Sequence, residues 1–329
     1  MVAWNPSFYI FRMLGPAWMS EEGRKPRLLV ILGPTASGKT SLAIQVAQAL
    51  DGEIISADSR ILYQELNIGV AKPNEAELQA ARHHLVSVAS ITEPWSLGQF
   101  RQAADSLIRE IDAKGRLPIL AGGTGQYLRA LLQNWQVPEI EAQPELRLAI
   151  EGWGEQIGSE ALWRRLAVLD HEAAAAIDHR NKRRTVRALE VILSTGQLFS
   201  NARGEFETPY EVCTLGLAWP RPELYARVDA RIEAMFSEGL VEEVQQIAAG
   251  GKRQALERMG IIGYNEVLAY LAGELSLDEA KALMRRNTRK FVRRQANWFK
   301  PDDPKILWLK ANDPALLQKA LDRVKVCFS

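Results

Sequence analysis

The sequence predicts an α/β fold, in which a P-loop NTPase-like core with a parallel sheet flanked by helices carries a helical insertion domain. The first observation is a phosphate-loop pattern, GPTASGKTS at 33–41, that follows an apolar run and precedes a helical one. The second is that short apolar strand candidates alternate with helical segments up to about residue 135. The third is that residues 136–205 have helical patterning and almost no strand pattern.

The first elements surround the glycine-rich loop. RLLVIL at 27–32 is short, apolar and ended by a glycine, which indicates a buried strand. Beyond the loop, Leu42, Val46 and Leu50 recur at helical spacing, which predicts a helix packed by one face. The loop therefore connects a buried strand to a helix, as a phosphate-binding loop requires.

Two further strand candidates complete the recognisable core. EIIS is followed closely by Asp58, and LPIL at 117–120 runs into the glycine turn AGGTG, with a helical segment at 96–113 between them. Ligands of parallel α/β sheets bind beyond the carboxyl ends of the strands. We therefore expect the strand ends at Gly33, Asp58 and Gly122 to meet at one crevice.

Changes in composition and in helix or strand pattern along the chain predict the domain organisation. Residues 1–26 are aromatic, contain three prolines and form an extension outside the core. The core comprises 27–135 and 206–329, and 136–205 is the helical insertion, entered through a segment rich in proline and acids. The β-rich run ETPYEVCTLGLAW at 207–219 returns the chain to the sheet, and the rest is expected to be mainly helical.

Composition limits the classes of protein. Hydrophobic residues make up 47% and charged residues 25% of the 329 positions, and the net charge is +1. Cys213 and Cys327 are the only cysteines and form no CxxC motif, which argues against a disulfide framework and favours the cytoplasm. The four histidines lack metal spacing, and no apolar run approaches the ~18 residues of a membrane span, so no membrane partner is expected.

The glycine loop is built to bind a polyphosphate. Its backbone N–H groups and the following helix N-terminus favour an anion, Lys39 adds a positive charge, and the Thr40 hydroxyl is placed to reach Mg²⁺. This pattern does not distinguish a diphosphate from a triphosphate. The candidate phosphate-binding residues are Gly33, Thr35, Ala36, Ser37, Gly38, Lys39 and Thr40.

The usual second acid of an ATPase is missing from the expected place. Such an aspartate ends a later apolar strand, but the candidate strand here ends in Gly122, Gly123 and Thr124. Asp58 lies at the end of another strand, where its carboxylate would face a substrate beside the phosphates. It is therefore a candidate general base, or a magnesium ligand if the protein is an ATPase.

Two basic segments indicate a polyanionic partner. RNKRRTVR at 180–187 has five basic residues in eight positions, and RRNTRKFVRR at 285–294 has six in ten. On a helix, Arg286, Arg289 and Arg293 would share one face with Lys290. Stripes of this kind bind phosphate backbones, although a solvated helix face is the plainer interpretation of either one alone.

Four segments together resemble one family. They are GPTASGKTS (33–41), ISADSRILYQELNIGVAKP (55–73), LAGGTGQYLRALL (120–132) and RRTVRALEV (183–191), with weaker similarity at 261–274 and 288–299. The sequence resembles the bacterial tRNA dimethylallyltransferases over about residues 27–310. GYN at 263–265 departs from the GYR of many relatives, which puts one RNA contact in doubt.

The resemblance implies a reaction and its residues. The loop would hold the diphosphate of dimethylallyl diphosphate with Mg²⁺, and the five-carbon group would move to the exocyclic amine of adenosine 37 beside the tRNA anticodon. Asp58 would take the proton from that amine, Thr124 would orient the base, and Arg227 would add a diphosphate contact. The expected contacts with the tRNA anticodon stem-loop are Asp58, Ser59, Arg60, Ile61, Thr124, Arg147, Arg183, Arg184, Arg187, Arg286, Arg289 and Arg293.

Three other functions fit parts of the pattern. An isopentenyltransferase acting on free adenine nucleotides would leave the insertion and the basic segments without a use. An ATP-dependent small-molecule kinase would not need the GGT turn, and an RNA-binding protein with a vestigial loop would not need Lys39, Thr40 and Asp58. One chain supplies both expected pockets, so a monomer is the expected state.

Overall fold

The computed structural model describes residues 24–135, 143–203 and 207–329. The extension up to residue 23 and the linker residues 136–142 lie outside the described residues, so those two expectations stay predictions. Residues 24–26 are already joined to the core, because Arg24 Nη2 donates to Asp112 Oδ2 at 2.6 Å and the Pro26 carbonyl accepts from Glu211 N at 2.9 Å.

One parallel sheet of six strands organises the core, in the order β3-β2-β4-β1-β5-β6. The strands are β1 (Arg27–Leu32), β2 (Gly52–Ser56), β3 (His83–His84), β4 (Leu117–Gly122), β5 (Glu211–Ala218) and β6 (Ile306–Lys310). Both faces of β1 are buried, with Leu28, Val30 and Leu32 in one apolar cluster and Leu29 and Ile31 in the other. Burial on both faces explains why this strand reads as a continuous apolar run.

Helices cover both faces of the sheet and continue beyond it. In the first part of the core they are α1 (Lys39–Ala49), α2 (Glu75–Ala80), α3 (Leu97–Ala113) and α4 (Gly125–Leu132). The last part contains α9 (Arg221–Ser237), α10 (Leu240–Ile247), a π-helical turn (Ala248–Lys252), α11 (Arg253–Met259), α12 (Tyr264–Leu271), α13 (Leu277–Ala296) and α14 (Leu316–Cys327). Capping boxes begin α3 at Ser96 and α13 at Ser276. None of the described helices has the length and apolarity needed to cross a membrane.

The insertion folds around its own apolar cluster. It contains α5 (Pro144–Ile157), α6 (Ser159–Leu169), α7 (His171–Ala176), α8 (Lys182–Thr195) and a 3₁₀ turn (Ser200–Arg203). Ile150, Leu162, Leu166 and Leu189 form its centre, separate from the two clusters of the sheet. Gly196, in the left-handed conformation, ends α8.

Two strands were not anticipated. The C-terminal part is mainly helical as predicted, but Ile306–Lys310 pairs with β5 as the edge strand β6, which the sequence analysis did not predict. The two-residue strand β3 at His83–His84 also escaped the sequence reasoning. Both are short edge strands. The apolar segment of β6 does not reveal by periodicity alone whether it is strand or helix, and the two residues of β3 are too few to show a pattern.

Candidate active site

The phosphate-binding loop joins β1 to α1 at the carboxyl edge of the sheet. Gly38 has φ 91°, a left-handed conformation that favours glycine, and α1 begins at the next residue, Lys39. The Lys39 ammonium donates to the Pro34 carbonyl at 2.7 Å, which folds the side chain back over the loop. The loop therefore presents backbone N–H groups, a helix N-terminus and one ammonium to the same space.

The charge of Lys39 is sensitive to its surroundings. The pKa of Lys39 is lowered to about 8, chiefly by burial in the loop and also by the positive charge of Arg231. The carboxylate of Asp58 opposes this and raises the pKa. An anion bound in the loop would act in the same direction as Asp58 and favour the charged lysine.

Asp58 lies in a tight turn just beyond β2. Its Oδ1 accepts from Arg60 N at 2.9 Å, and Thr124 Oγ1 accepts from Ser59 N at 3.1 Å. Within the described part of the chain, the second carboxylate oxygen of Asp58 has no hydrogen-bond donor. Thr124 Oγ1 in turn donates to Ser59 Oγ over a long distance of 3.5 Å, so the Thr124 hydroxyl is held between two groups of Ser59 at the cavity wall.

A cavity of about 950 Å³ joins these groups. The predicted residues that line it are Thr35, Lys39, Thr40, Asp58, Ser59, Arg60, Ile61, Thr124 and Arg183. Gly33, Ala36, Ser37 and Gly38 build the loop behind its wall. Sequence reasoning missed Arg231 and Arg258, which also line the cavity, and it noted Arg294, another lining residue, only as part of the basic segment 285–294.

The two arginines of α9 near the loop, Arg227 and Arg231, take different positions. Arg227 is absent from the cavity wall: its Nε donates to the Ala36 carbonyl at 2.9 Å, and its guanidinium lies 4.6 Å from the centre of the Trp219 ring. Arg231, one helical turn later, lines the cavity, and burial lowers its pKa while Asp58 raises it. Arg227 therefore contacts the loop from outside the cavity, and Arg231 is the arginine of this pair that lines the cavity. The run RPELYARVDAR contains both, so the signal was present in the sequence.

A second loop places Arg231. The Glu243 carboxylate accepts from the backbone N–H groups of Asn67 and Ile68 at 3.2 and 2.9 Å, and from Tyr264 Oη at 2.5 Å. The loop anchored in this way presents the Val70 carbonyl, which accepts from Arg231 Nη2 at 3.3 Å. The segment NIGVAKP thus contributes by supporting the arginine with its backbone.

The basic residues divide into exposed and paired groups. Among the described residues, Arg183, Arg184, Arg286 and Arg293 are exposed and form no ion pair. Arg289 differs from these four, because it turns toward α9, pairs with Asp229 and lies 5.2 Å from the centre of the Tyr225 ring. Its expected contact with tRNA stays a prediction.

Arg147 and Arg187 both bind one buried carboxylate. Arg147 Nη2 and Arg187 Nη1 lie 2.8 and 2.9 Å from Glu190 Oε2, and the Glu190 side chain is 1% exposed. Burial raises the pKa of Glu190, but the hydrogen bonds from the two arginines outweigh it and hold the pKa below its ordinary value. These two arginines therefore tie α5 to α8 inside the insertion, whatever else they contact.

The cavity has few oxygen ligands for a metal ion. Within the described ranges, no three His, Cys, Asp or Glu side chains cluster in a way that would hold one. Thr40 and Asp58 supply oxygen atoms at the cavity wall. Mg²⁺ commonly binds through one or two protein oxygens together with substrate phosphates, so this sparse set fits an ion that enters with a polyphosphate.

A phosphate-binding loop, a carboxylate and inward-facing arginines around one cavity define an enzyme of the P-loop class that transfers a group from a phosphorylated substrate. A model of the IPP transferase family matches residues 61–302, and the chain belongs to that family. It is 44% identical to the tRNA dimethylallyltransferase of Roseiflexus sp. (strain RS-1), covering 91% of this chain and 97% of the relative.

Solved structures agree with this assignment. The tRNA isopentenylpyrophosphate transferase of Bacillus halodurans is similar with a TM-score of 0.67 and 34% identity, over 92% of this chain and 98% of that one. A eukaryotic dimethylallyltransferase, solved while acting on tRNA, is similar with a TM-score of 0.75 and 26% identity, over 91% of this chain and 77% of that one. The predicted family and fold class are therefore confirmed.

Proposed function

We propose that this protein transfers the dimethylallyl group of dimethylallyl diphosphate to the exocyclic amine of adenosine 37 in tRNA and releases diphosphate. The observation that carries the proposal is the single cavity lined by Lys39, Thr40 and Arg231 together with Asp58 and Thr124. The first three residues suit a diphosphate, and the last two suit an amine that must lose a proton. Both halves of a transfer reaction therefore have their groups at one place.

In this reaction the bond from the first prenyl carbon to the diphosphate oxygen breaks, and a bond from that carbon to the adenine nitrogen forms. The amine loses one proton to Asp58, whose second carboxylate oxygen is free to receive it. The Thr124 hydroxyl donates to the base and orients it. Because the adenine amine is a weak nucleophile, a positioned base stabilises chiefly the transition state.

Negative charge grows on the departing diphosphate. Lys39, Arg231 and the N–H groups at the start of α1 are placed to stabilise that charge. Mg²⁺, held by Thr40 and the diphosphate oxygens, would supply further positive charge at the leaving group. Gly33, Thr35, Ala36, Ser37 and Gly38 would contribute the backbone of the cradle, and Arg227 would brace it from outside.

The RNA would approach from the side of the insertion and α13. An adenine in a stacked loop cannot reach Asp58, so the nucleotide must leave its stack and enter the cavity mouth beside Ser59, Arg60 and Ile61. The exposed Arg183, Arg184, Arg286 and Arg293 are suited to contact backbone phosphates. Residues 136–205 would thus act as a tRNA-binding domain on a core formed by 27–135 and 206–329. We further propose that the protein acts in the cytoplasm as a monomer.

A transfer assay tests the proposal. The protein is mixed with Mg²⁺, radiolabelled dimethylallyl diphosphate and either unmodified tRNA or AMP, with ATP hydrolysis measured alongside. Label in tRNA, none in AMP and no ATP turnover is the expected result. Label in AMP alone would identify an enzyme of free nucleotides, and ATP turnover without prenyl transfer would identify a phosphoryl-transfer enzyme.

A further inference from the structure

One side chain at the end of α13 connects the two loops that carry the proposed chemistry. The amide oxygen of Gln295 accepts from Thr35 N in the phosphate-binding loop at 2.9 Å. The amide nitrogen of the same residue donates to the Gly123 carbonyl at 3.0 Å. Thr35 and Thr124, the neighbour of Gly123, both line the cavity. The amide therefore fixes the separation of the diphosphate end of the cavity from the end where the base would bind.

The glycines of the GGTG turn make room for this contact. A Cβ atom on Gly123 would lie 2.5 Å from Gln295 Nε2, and one on Gly125 would lie 2.1 Å from the Trp298 ring. Arg129 Nη2 donates to the Trp298 carbonyl at 2.6 Å, and its guanidinium lies 5.4 Å from the ring centre. The two glycines therefore leave room for Gln295 at the end of α13 and for Trp298 just after it.

We propose that Gln295 is a positioning residue for the transfer reaction, because it holds the phosphate-binding loop and the Thr124 loop at one fixed separation. This inference rests on the proposed function. Transfer requires the prenyl carbon and the adenine nitrogen to meet in line, and an error of about 1 Å in such a placement lowers a rate on the order of 100-fold. Gln295 touches neither substrate in this scheme and acts through Thr35 and Gly123.

The chemistry of the contact requires an amide. Glutamate would still accept from Thr35 N, but it would place a carboxylate oxygen against the Gly123 carbonyl, where a donor is needed. Methionine has nearly the same shape and can make neither hydrogen bond. The two substitutions therefore remove one bond or both while filling the same space.

The test is single-turnover transfer to tRNA with saturating enzyme and dimethylallyl diphosphate. For Gln295→Glu and Gln295→Met we expect a rate constant about 10- to 100-fold lower, with an unchanged amplitude and an unchanged Kd for tRNA. Gln245→Glu makes the same chemical change at an exposed position of α10 and should leave the rate constant unchanged. The amplitude counts folded active sites, whereas the rate constant reports the geometry within each site.

Each remaining outcome has a distinct meaning. If the amplitude falls while the rate constant equals that of the wild type, Gln295 only stabilises the fold and the proposal is refuted. An unchanged rate constant with unchanged amplitude in both Gln295 variants also refutes it. Failure of the wild-type protein to transfer label to tRNA would instead refute the proposed function, on which this inference depends.

Discussion

The low pKa of Lys39 predicts that binding of dimethylallyl diphosphate takes up a proton above neutral pH. In the ligand-free protein the pKa is about 8, because burial disfavours the charged ammonium. A bound diphosphate favours that charge and returns the pKa toward the ordinary value of about 10.4. Between these two values the complex holds one more proton than the free protein, so affinity must fall as the pH rises.

The size of the effect follows from linkage. If one proton is taken up with a free pKa of about 8, the apparent Kd rises about tenfold between pH 7 and pH 9, a loss of about 1.4 kcal/mol. Titration calorimetry in two buffers of different ionisation enthalpy measures the uptake directly. We expect little uptake at pH 7, about half a proton at pH 8 and nearly one at pH 9.

Two variants isolate the lysine. Lys39→Arg keeps its charge over this pH range and should bind with a flat profile, and Asp58→Asn should move the midpoint below pH 8 by removing the neighbouring negative charge. A wild-type Kd that stays constant from pH 7 to pH 9 would refute the reasoning. So would a Lys39→Arg profile that falls as steeply as that of the wild type.

Three other changes give separate tests. Asp58→Asn should lower transfer to tRNA by at least about 100-fold while tRNA binding stays within about twofold, since a general base acts in the transition state; a parallel loss of binding would remove Asp58 from that role. The double change Arg183→Gln and Arg184→Gln should reduce the slope of log K for tRNA binding against log salt concentration by about 1 to 2. Arg180 is paired with Asp178, so Arg180→Gln is the control that should leave this slope nearly unchanged. Equal slopes in the wild type and the double variant would contradict the assignment of Arg183 and Arg184 as phosphate contacts. Glu190→Gln should lower the free energy of unfolding by about 1–3 kcal/mol in urea at pH 7. Since the pKa of Glu190 is held low, its contribution is complete above the unfolded value of about 4.3 and is lost as the pH falls further, so the difference from Glu190→Gln should shrink in acid.

The part of the candidate site that consists of the phosphate-binding loop, Asp58 and Thr124 could be predicted from the sequence. The strand, glycine loop and helix at 27–49 follow one another directly, and the spacing of apolar residues specifies each of them. Asp58 and Thr124 could be placed at the same edge because parallel strands present their carboxyl ends together. Those inferences needed only the order of the elements along the chain.

The rest of the candidate site depends on how distant helices pack. Arg227 and Arg231 are four residues apart on α9 and share one helix face, so periodicity cannot decide which of them enters the cavity. Which arginine enters the cavity depends on where along its length α9 passes the phosphate-binding loop. That position is set by the contacts of α9 with α13 and with the loop at 67–73. Gln295 escaped attention for the same reason, because its two partners lie 260 and 172 residues away.

The missing acid at the end of β4 has a steric cause. Strands β2 and β4 are neighbours with Ser56 opposite Ala121, so the turn after β2 lies directly against Gly122. A Cβ atom on Gly122 would lie 2.3 Å from the Ala57 carbonyl oxygen, which leaves no space there for the aspartate that an ATPase carries. The same Ala57 carbonyl accepts from Thr124 N at 3.2 Å and fixes the two turns together. The carboxylate is therefore moved to the neighbouring strand end, where Asp58 faces the cavity beside Thr124. In that position Asp58 can take a proton from an amine bound in the cavity, as the proposed function requires.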